Sequence, residues 1–185
     1  MPSIRSNRAK KLLAVAGAAV LTATLGAGSA VAADAAAAKS GAPRCATSNL
    51  KVSLSSGGQA GSQDGMNHVG VFLRFENTGS GTCTLYGYPG LGLENAKHHA
   101  LKTKAIWGST YFLADPGKHT VTLGHGKSAW ADMAWTHVGE KMVNANYLEV
   151  TPPGAKTHRT VTFKQPVDGG TLHVTALSAK IPKIG

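Results

Sequence analysis

Alternation with a period of two dominates the chain beyond residue 68. In residues 68–78, HVGVFLRFENT, Val69, Val71, Leu73 and Phe75 alternate with His68, Gly70, Arg74 and Glu76. Successive side chains of a strand point to opposite faces, so this run predicts a half-buried strand. Phe72 interrupts the polar stripe, which predicts partial cover on the second face too. Asn77-Thr78-Gly79-Ser80-Gly81 follows, a cluster that tolerates positive φ and reads as a turn. TCTLY returns as a short strand, and Pro89-Gly90 sets a tight corner.

Residues 119–137, HTVTLGHGKSAWADMAWTH, predict a hairpin with GHGK as its turn. In the second arm Ala129, Ala131, Met133 and Trp135 form one stripe, and Trp130, Asp132 and Ala134 the other. Trp130 and Trp135 therefore face opposite ways, one of them into the core. NYLEVTPP ends on a proline stop. RTVTFK at 159–164 and TLHVTAL at 171–177 are two more strands around PVDGG. A helical period is absent from this region, apart from one turn expected in EKMVNANY, residues 140–147. Seven or eight short strands with regular turns predict an all-β, immunoglobulin-like antiparallel β-sandwich, with a closed barrel as the alternative.

The start of the chain follows a different pattern. Arg5, Arg8, Lys10 and Lys11 precede an uncharged apolar stretch at 12–25, and the run closes on Ala30-Val31-Ala32. Basic start, short apolar segment and A-x-A exit form the pattern of a secretory signal peptide. Cleavage is expected after Ala32, with Ala30 and Ala33 as the neighbouring alternatives. The apolar part is shorter than the ~20 residues of a membrane-spanning helix, so no span is expected after cleavage. The expected organisation is a signal peptide at 1–32, a flexible alanine-rich segment at 33–43, and one β-sandwich domain at 44–185.

Export changes how charge and cysteine are read. The chain has 19 basic and 9 acidic residues; without the four basic residues of the leader, fifteen against nine remain. A mild positive charge outside the cell favours anionic surfaces such as cell-wall polymer. No recognition motif accompanies the charge, so nucleic acid is not an expected partner. Cys45 and Cys83 are the only cysteines, and in an oxidising compartment an even count reads as a disulfide.

These pieces together resemble a known family. Cys45, Asn77-Thr78-Gly79-Ser80, Cys83-Thr84-Leu85 and Gly87-Tyr88-Pro89-Gly90 resemble secreted actinobacterial proteins grouped as domain of unknown function 4232. So do the run from Leu123 to Ala131, Trp135 and Pro152-Pro153. The likeness runs from about Cys45 to Leu177. It implies an extracellular or cell-surface β-sandwich. It brings no established activity and hence no catalytic residues. Members commonly carry a second cysteine pair in the C-terminal half; Met142 and Val167-Asp168-Gly169 stand in that region here, without cysteine.

Motifs for chemistry are sparse. Gly124-His125-Gly126-Lys127-Ser128 ends like a phosphate-binding loop, but Val121 stands where the first glycine is required, and strand follows instead of helix. Eight histidines are present, without H-x-H or H-E-x-x-H spacing. His98, His99 and His125 are the candidate metal ligands, with Met66 and Met133 as soft thioether additions, set against the simpler reading of solvated imidazoles. Asp132 and His137 offer an acid and a base, but no G-x-S-x-G elbow presents a serine. Trp107, Tyr111, Phe112, Tyr86 and Tyr88 are a candidate stacking surface for sugars, against the default of core packing.

The expected function is therefore a secreted, non-enzymatic binding module at the cell envelope, without a cofactor. Its expected partner is anionic cell-wall polymer or an extracellular protein. The alternatives are a histidine-based metal-binding module and an inhibitor that presents YGYPGL to an extracellular protease.

Overall fold

The structure, a computed structural model, describes residues 41–56 and 63–184. The expected signal peptide at 1–32, with Ala30, Ala32 and Ala33, lies outside these residues, as does most of 33–43. Of that segment the last residues are already bonded: the Thr84 amide donates to Pro43 O at 2.8 Å.

A short 3₁₀ turn, Thr47–Asn49, leads into twelve strands among the described residues. They are β1 (Leu50–Ser55), β2 (Asp64–Gly65), β3 (His68–Asn77), β4 (Cys83–Tyr86), β5 (Gly90–Glu94) and β6 (Ala100–Leu101). After them come β7 (Lys104–Trp107), β8 (Thr120–Leu123), β9 (Ser128–Thr136), β10 (Met142–Thr151), β11 (Arg159–Asp168) and β12 (Thr171–Val174). One sheet runs β1-β3-β9-β12-β7, with β2 added to β3; a second runs β11-β10-β5-β6; β4 and β8 form a separate pair. The expected all-β sandwich is borne out. Every pairing is antiparallel except that of β12 with β7, which is parallel. No helix among the described residues is long and apolar enough to cross a membrane.

The core lies between the sheets. It is made by alternate residues of β3 and β9, by Leu172 and Val174 of β12, and by Leu93, Leu148, Val150 and Phe163 of the facing sheet. Trp135 packs edge-on against Phe163, with ring centroids 4.9 Å apart. Cys45 and Cys83 are joined across a sequence separation of 38 residues. The bond ties the chain ahead of β1 to β4, and both sulfurs' residues are buried in the same core.

Two local expectations are corrected. The runs on either side of GHGK are strands, but not partners: β8 pairs with β4, whereas β9 pairs with β3 and β12. The buried Asn77 keeps them apart. Its Nδ2 donates to Leu123 O at 2.9 Å, its backbone O accepts from Gly126 N, and its own amide donates to Lys127 O. RTVTFK and TLHVTAL are strands, as expected, and they pair into different sheets, separated by Gly169 and Gly170 at φ 58° and 68°. A Cβ on Gly170 would meet Lys102 O at 2.0 Å, so only glycine fits that crossing. Finally, the helical turn expected in residues 140–147 is strand from Met142 on, because pairing with β11 and β5 captures it.

The outer face of the six-stranded sheet is covered as well. Phe72 and Asp132 on that face have no exposed surface. Residues 108–118 cross over it, and Ser178 closes it by exchanging backbone hydrogen bonds with Trp130 at 2.7 and 2.8 Å.

Candidate functional site

β4 alternates Cys83 and Leu85 inward with Thr84 and Tyr86 outward, which leaves Tyr86 57 % exposed at the strand's end. Gly87 follows at φ 91°, a conformation that turns the chain and that other residues adopt only under strain. The turn brings Tyr88 beside Trp107, the last residue of the edge strand β7. Their rings lie parallel, within 5°, with centroids 5.4 Å apart. Trp107 Nε1 donates to Pro89 O at 3.2 Å, and the ring is still 57 % exposed.

Tyr88 is fixed from behind. Its hydroxyl donates to Asp115, and this hydrogen bond, then burial, push its pKa above the ordinary value. Asp115 also accepts from the Ala176 amide at 2.8 Å, so both of its oxygens are occupied inside the fold. Lys118 stands over the Tyr88 ring at 5.8 Å. Tyr86, Gly87, Tyr88, Trp107, Lys118, Pro153 and Gly154 together line a groove of about 170 Å³. Arg44 closes its rim, donating to Gly154 O at 2.8 Å. The groove thus offers flat aromatic faces, two cations and no uncommitted carboxylate.

The sequence offers Tyr86, Tyr88, Trp107, Tyr111 and Phe112 as a candidate stacking surface, against the default of core packing. The structure divides them. Tyr111 and Phe112 belong to the loop over the six-stranded sheet, where Tyr111 stacks on His68 at 4.1 Å. Lys118 and Arg44 carried no sequence signal, since neither sits in a basic run.

The histidines do not converge. Among the described residues no group of three or more His, Cys, Asp or Glu side chains is placed to hold a metal ion. His125 is on the turn between β8 and β9, bonded to Gly79 O at 2.9 Å, and His99 is exposed. His98 has φ 58°, a left-handed conformation unusual for histidine. It pairs with Glu94 at 2.8 Å and stacks on Tyr147 at 4.0 Å. Glu94 lies next to Glu149, which pairs with His158 at 3.2 Å. The His98 contact lowers the Glu94 pKa, while burial, then Glu94, raise that of Glu149. Gly92 makes room for this pair: a Cβ there would stand 2.9 Å from Glu149 Oε2. Met133 is buried in the core.

Asp132 and His137 make no dyad. The Asp132 carboxylate accepts from Gln63 and Thr110, and its amide donates to Thr175 Oγ1. His137 Nδ1 is buried without a partner among the described residues. Gly124–Ser128 is a turn ahead of a strand, with Gly126 at φ 71°, and no helix follows it.

Comparison with known proteins finds no match among curated proteins or solved structures. A family model described as Domain of unknown function (DUF4232) matches residues 45–178, from the first half-cystine to the residue that closes the outer face. The match spans both sheets, the disulfide and the aromatic groove, and the chain belongs to the DUF4232 family.

Proposed function

We propose that this protein is an exported, non-enzymatic binding module of an actinobacterial cell envelope, its leader removed near Ala32. It binds an anionic glycan through the groove of Tyr86, Tyr88, Trp107 and Lys118. One observation carries this reading: the exposed Trp107 ring lies parallel to the half-buried Tyr88 ring beside a cation, while the oxygens of the neighbouring acid, Asp115, are occupied by the Tyr88 hydroxyl and the Ala176 amide. Sugar rings present apolar C–H faces that pack on exposed aromatic rings, and Lys118 and Arg44 attract acidic substituents. The rings are also held by hydrogen bonds before any ligand arrives, which lowers the entropic cost of binding.

The test is co-sedimentation of the exported protein with purified cell wall, at low and high salt. Retention at low salt, weakened by salt, is expected. Trp107→Ala should lose retention by about tenfold while its melting temperature stays near that of the parent, since the ring is mostly exposed. Absence of retention at low salt rejects the reading, as does unchanged retention by Trp107→Ala.

A further inference from the structure

A second pocket lies on the outer face of the six-stranded sheet. It holds about 250 Å³ between His68, Ser109, Thr110, Tyr111, Ala134 and His173. Its floor is Ala134 with its register partner His173, flanked in the same row by Gly70 and Ile106. Ala134 has almost no side chain, so the floor is low between the two histidines, while Gln63 and Phe112 pack over Gly70. Phe112 closes the far side; a Cβ on Gly70 would stand 3.0 Å from its ring.

The wall is held in place. The Thr110 hydroxyl donates to Asp132, and Thr110 Oγ1 accepts from the Phe112 and Leu113 amides at 3.2 and 3.1 Å. Ser109 Oγ accepts from the Asp115 amide at 3.0 Å, which leaves its O–H free to donate.

Charge decides what this pocket takes. β3 contributes His68, β12 contributes His173, and β7 contributes Lys104, in register with Thr171 on the same face as His173. Asp132 of β9 is fully buried, its oxygens committed to Gln63 and Thr110. Asp115 is committed to Tyr88 and Ala176. Asp64 of β2 pairs with Val69, on the alternate face from His68. His173 therefore faces cations without a compensating carboxylate. Burial first, then His68 and Lys104, lower its pKa. A metal ion would add to that repulsion, whereas an anion relieves it.

We propose that this pocket binds a compact oxyanion, with His173 and the Ser109 hydroxyl as donors, the His68 ring as a wall and Lys104 completing the charge. His68 Nδ1 donates to Met66 O at 2.9 Å, which fixes the ring where it stacks on Tyr111. The volume exceeds that of a bare oxyanion, so the carbon group that carries the anion fits as well. Binding draws a proton onto His173, and affinity tightens as pH falls. The site stands on this pocket alone; the groove at Trp107 takes no part in it.

Amide NMR titrations of the exported protein with methyl phosphate and with acetate, at about pH 5.5 and about pH 8, test the proposal. Shifts at Gly70, Ala134 and His173 are expected, with about tenfold tighter binding at the lower pH. His173→Ala should abolish them, Lys104→Ala should weaken binding several-fold, and Trp107→Ala should leave it unchanged. A response to methyl phosphate alone assigns a phosphoryl group, to acetate alone a carboxylate, and to both a general oxyanion site. The proposal is overturned if neither anion shifts these amides at the lower pH, or if His173→Ala binds equally well. Zinc shifting them where both anions fail would overturn it too. Because Trp107 is a control here, failure of the glycan reading and failure of this one are separable.

Discussion

The two faces of β9 are built on different principles. Inward, Ala129, Ala131, Met133 and Trp135 join an apolar core whose cohesion is burial and nondirectional contact. Outward, Phe72 of β3 and Ala134 lie beside Asp132, a carboxylate with no exposed surface, under a loop tied down by side-chain hydrogen bonds. An apolar face tolerates imprecise partners. A buried polar face requires each donor and acceptor to be matched, because an orphaned polar group costs about 1–3 kcal/mol. Both faces therefore give stability through buried apolar groups, while the outer face alone adds a matched polar set that fixes the shape of the loop that carries Ser109, Thr110 and Tyr111.

That contrast can be broken experimentally, and the largest effect belongs to the inner face. Replacing Cys45 and Cys83 by serine should lower stability by about 4 kcal/mol, since the bond closes a long loop in the unfolded chain. Urea unfolding under matched conditions measures it. A loss below about 1 kcal/mol would mean that the apolar contacts alone hold the two halves of the core. Next comes Phe72→Ala, expected to cost about 3 kcal/mol, comparable to Met133→Ala on the opposite face. Both side chains are wholly buried, so their costs should match despite their different surroundings. If Phe72→Ala is nearly neutral, the outer face is effectively open to water and the contrast fails.

Much of the inner face was legible in the sequence. Alternation in 128–136 separates the two stripes without saying which faces inward, and the count of two cysteines names the bond. The outer face was not. Periodicity reports that Phe72 interrupts a polar stripe, but not what covers it. The cover depends on Thr110 meeting Asp132 and on Gln63 meeting it from the other side, residues separated in sequence by 22 and 69 positions. The same limit explains the expected hairpin at 119–137. Its two arms carry correct strand patterns, and local pattern does not say that Asn77 from another strand is wedged between them. The aromatic groove was half legible: residue type suggested Tyr88 and Trp107, whereas the rigid Asp115 backing and the nearness of Lys118 are properties of the folded chain.

The smallest effect is also the one that separates the faces most cleanly, because it depends on pH. Burial raises the Asp132 pKa, against the lowering influence of Thr110 and Gln63. A carboxyl whose folded pKa lies above its unfolded value holds its proton more tightly in the native state. Its favourable contribution is complete below the unfolded pKa and is lost as pH rises through the folded one. Asp132→Asn removes this titration while keeping the shape. It also supplies an N–H for Gln63 Oε1, which has no partner among the described residues, if the Gln63 amide turns over. The stability difference between the variant and the parent should therefore move in the variant's favour as pH rises from about 4 to about 7. Thermal melting across that range reads the slope. Met133→Ala, on the apolar face, has no titrating group and should show the same pH dependence as the parent. A slope unchanged by Asp132→Asn would mean that the carboxylate is as comfortable under the loop as in water, and that the outer face holds its loop by something other than these bonds.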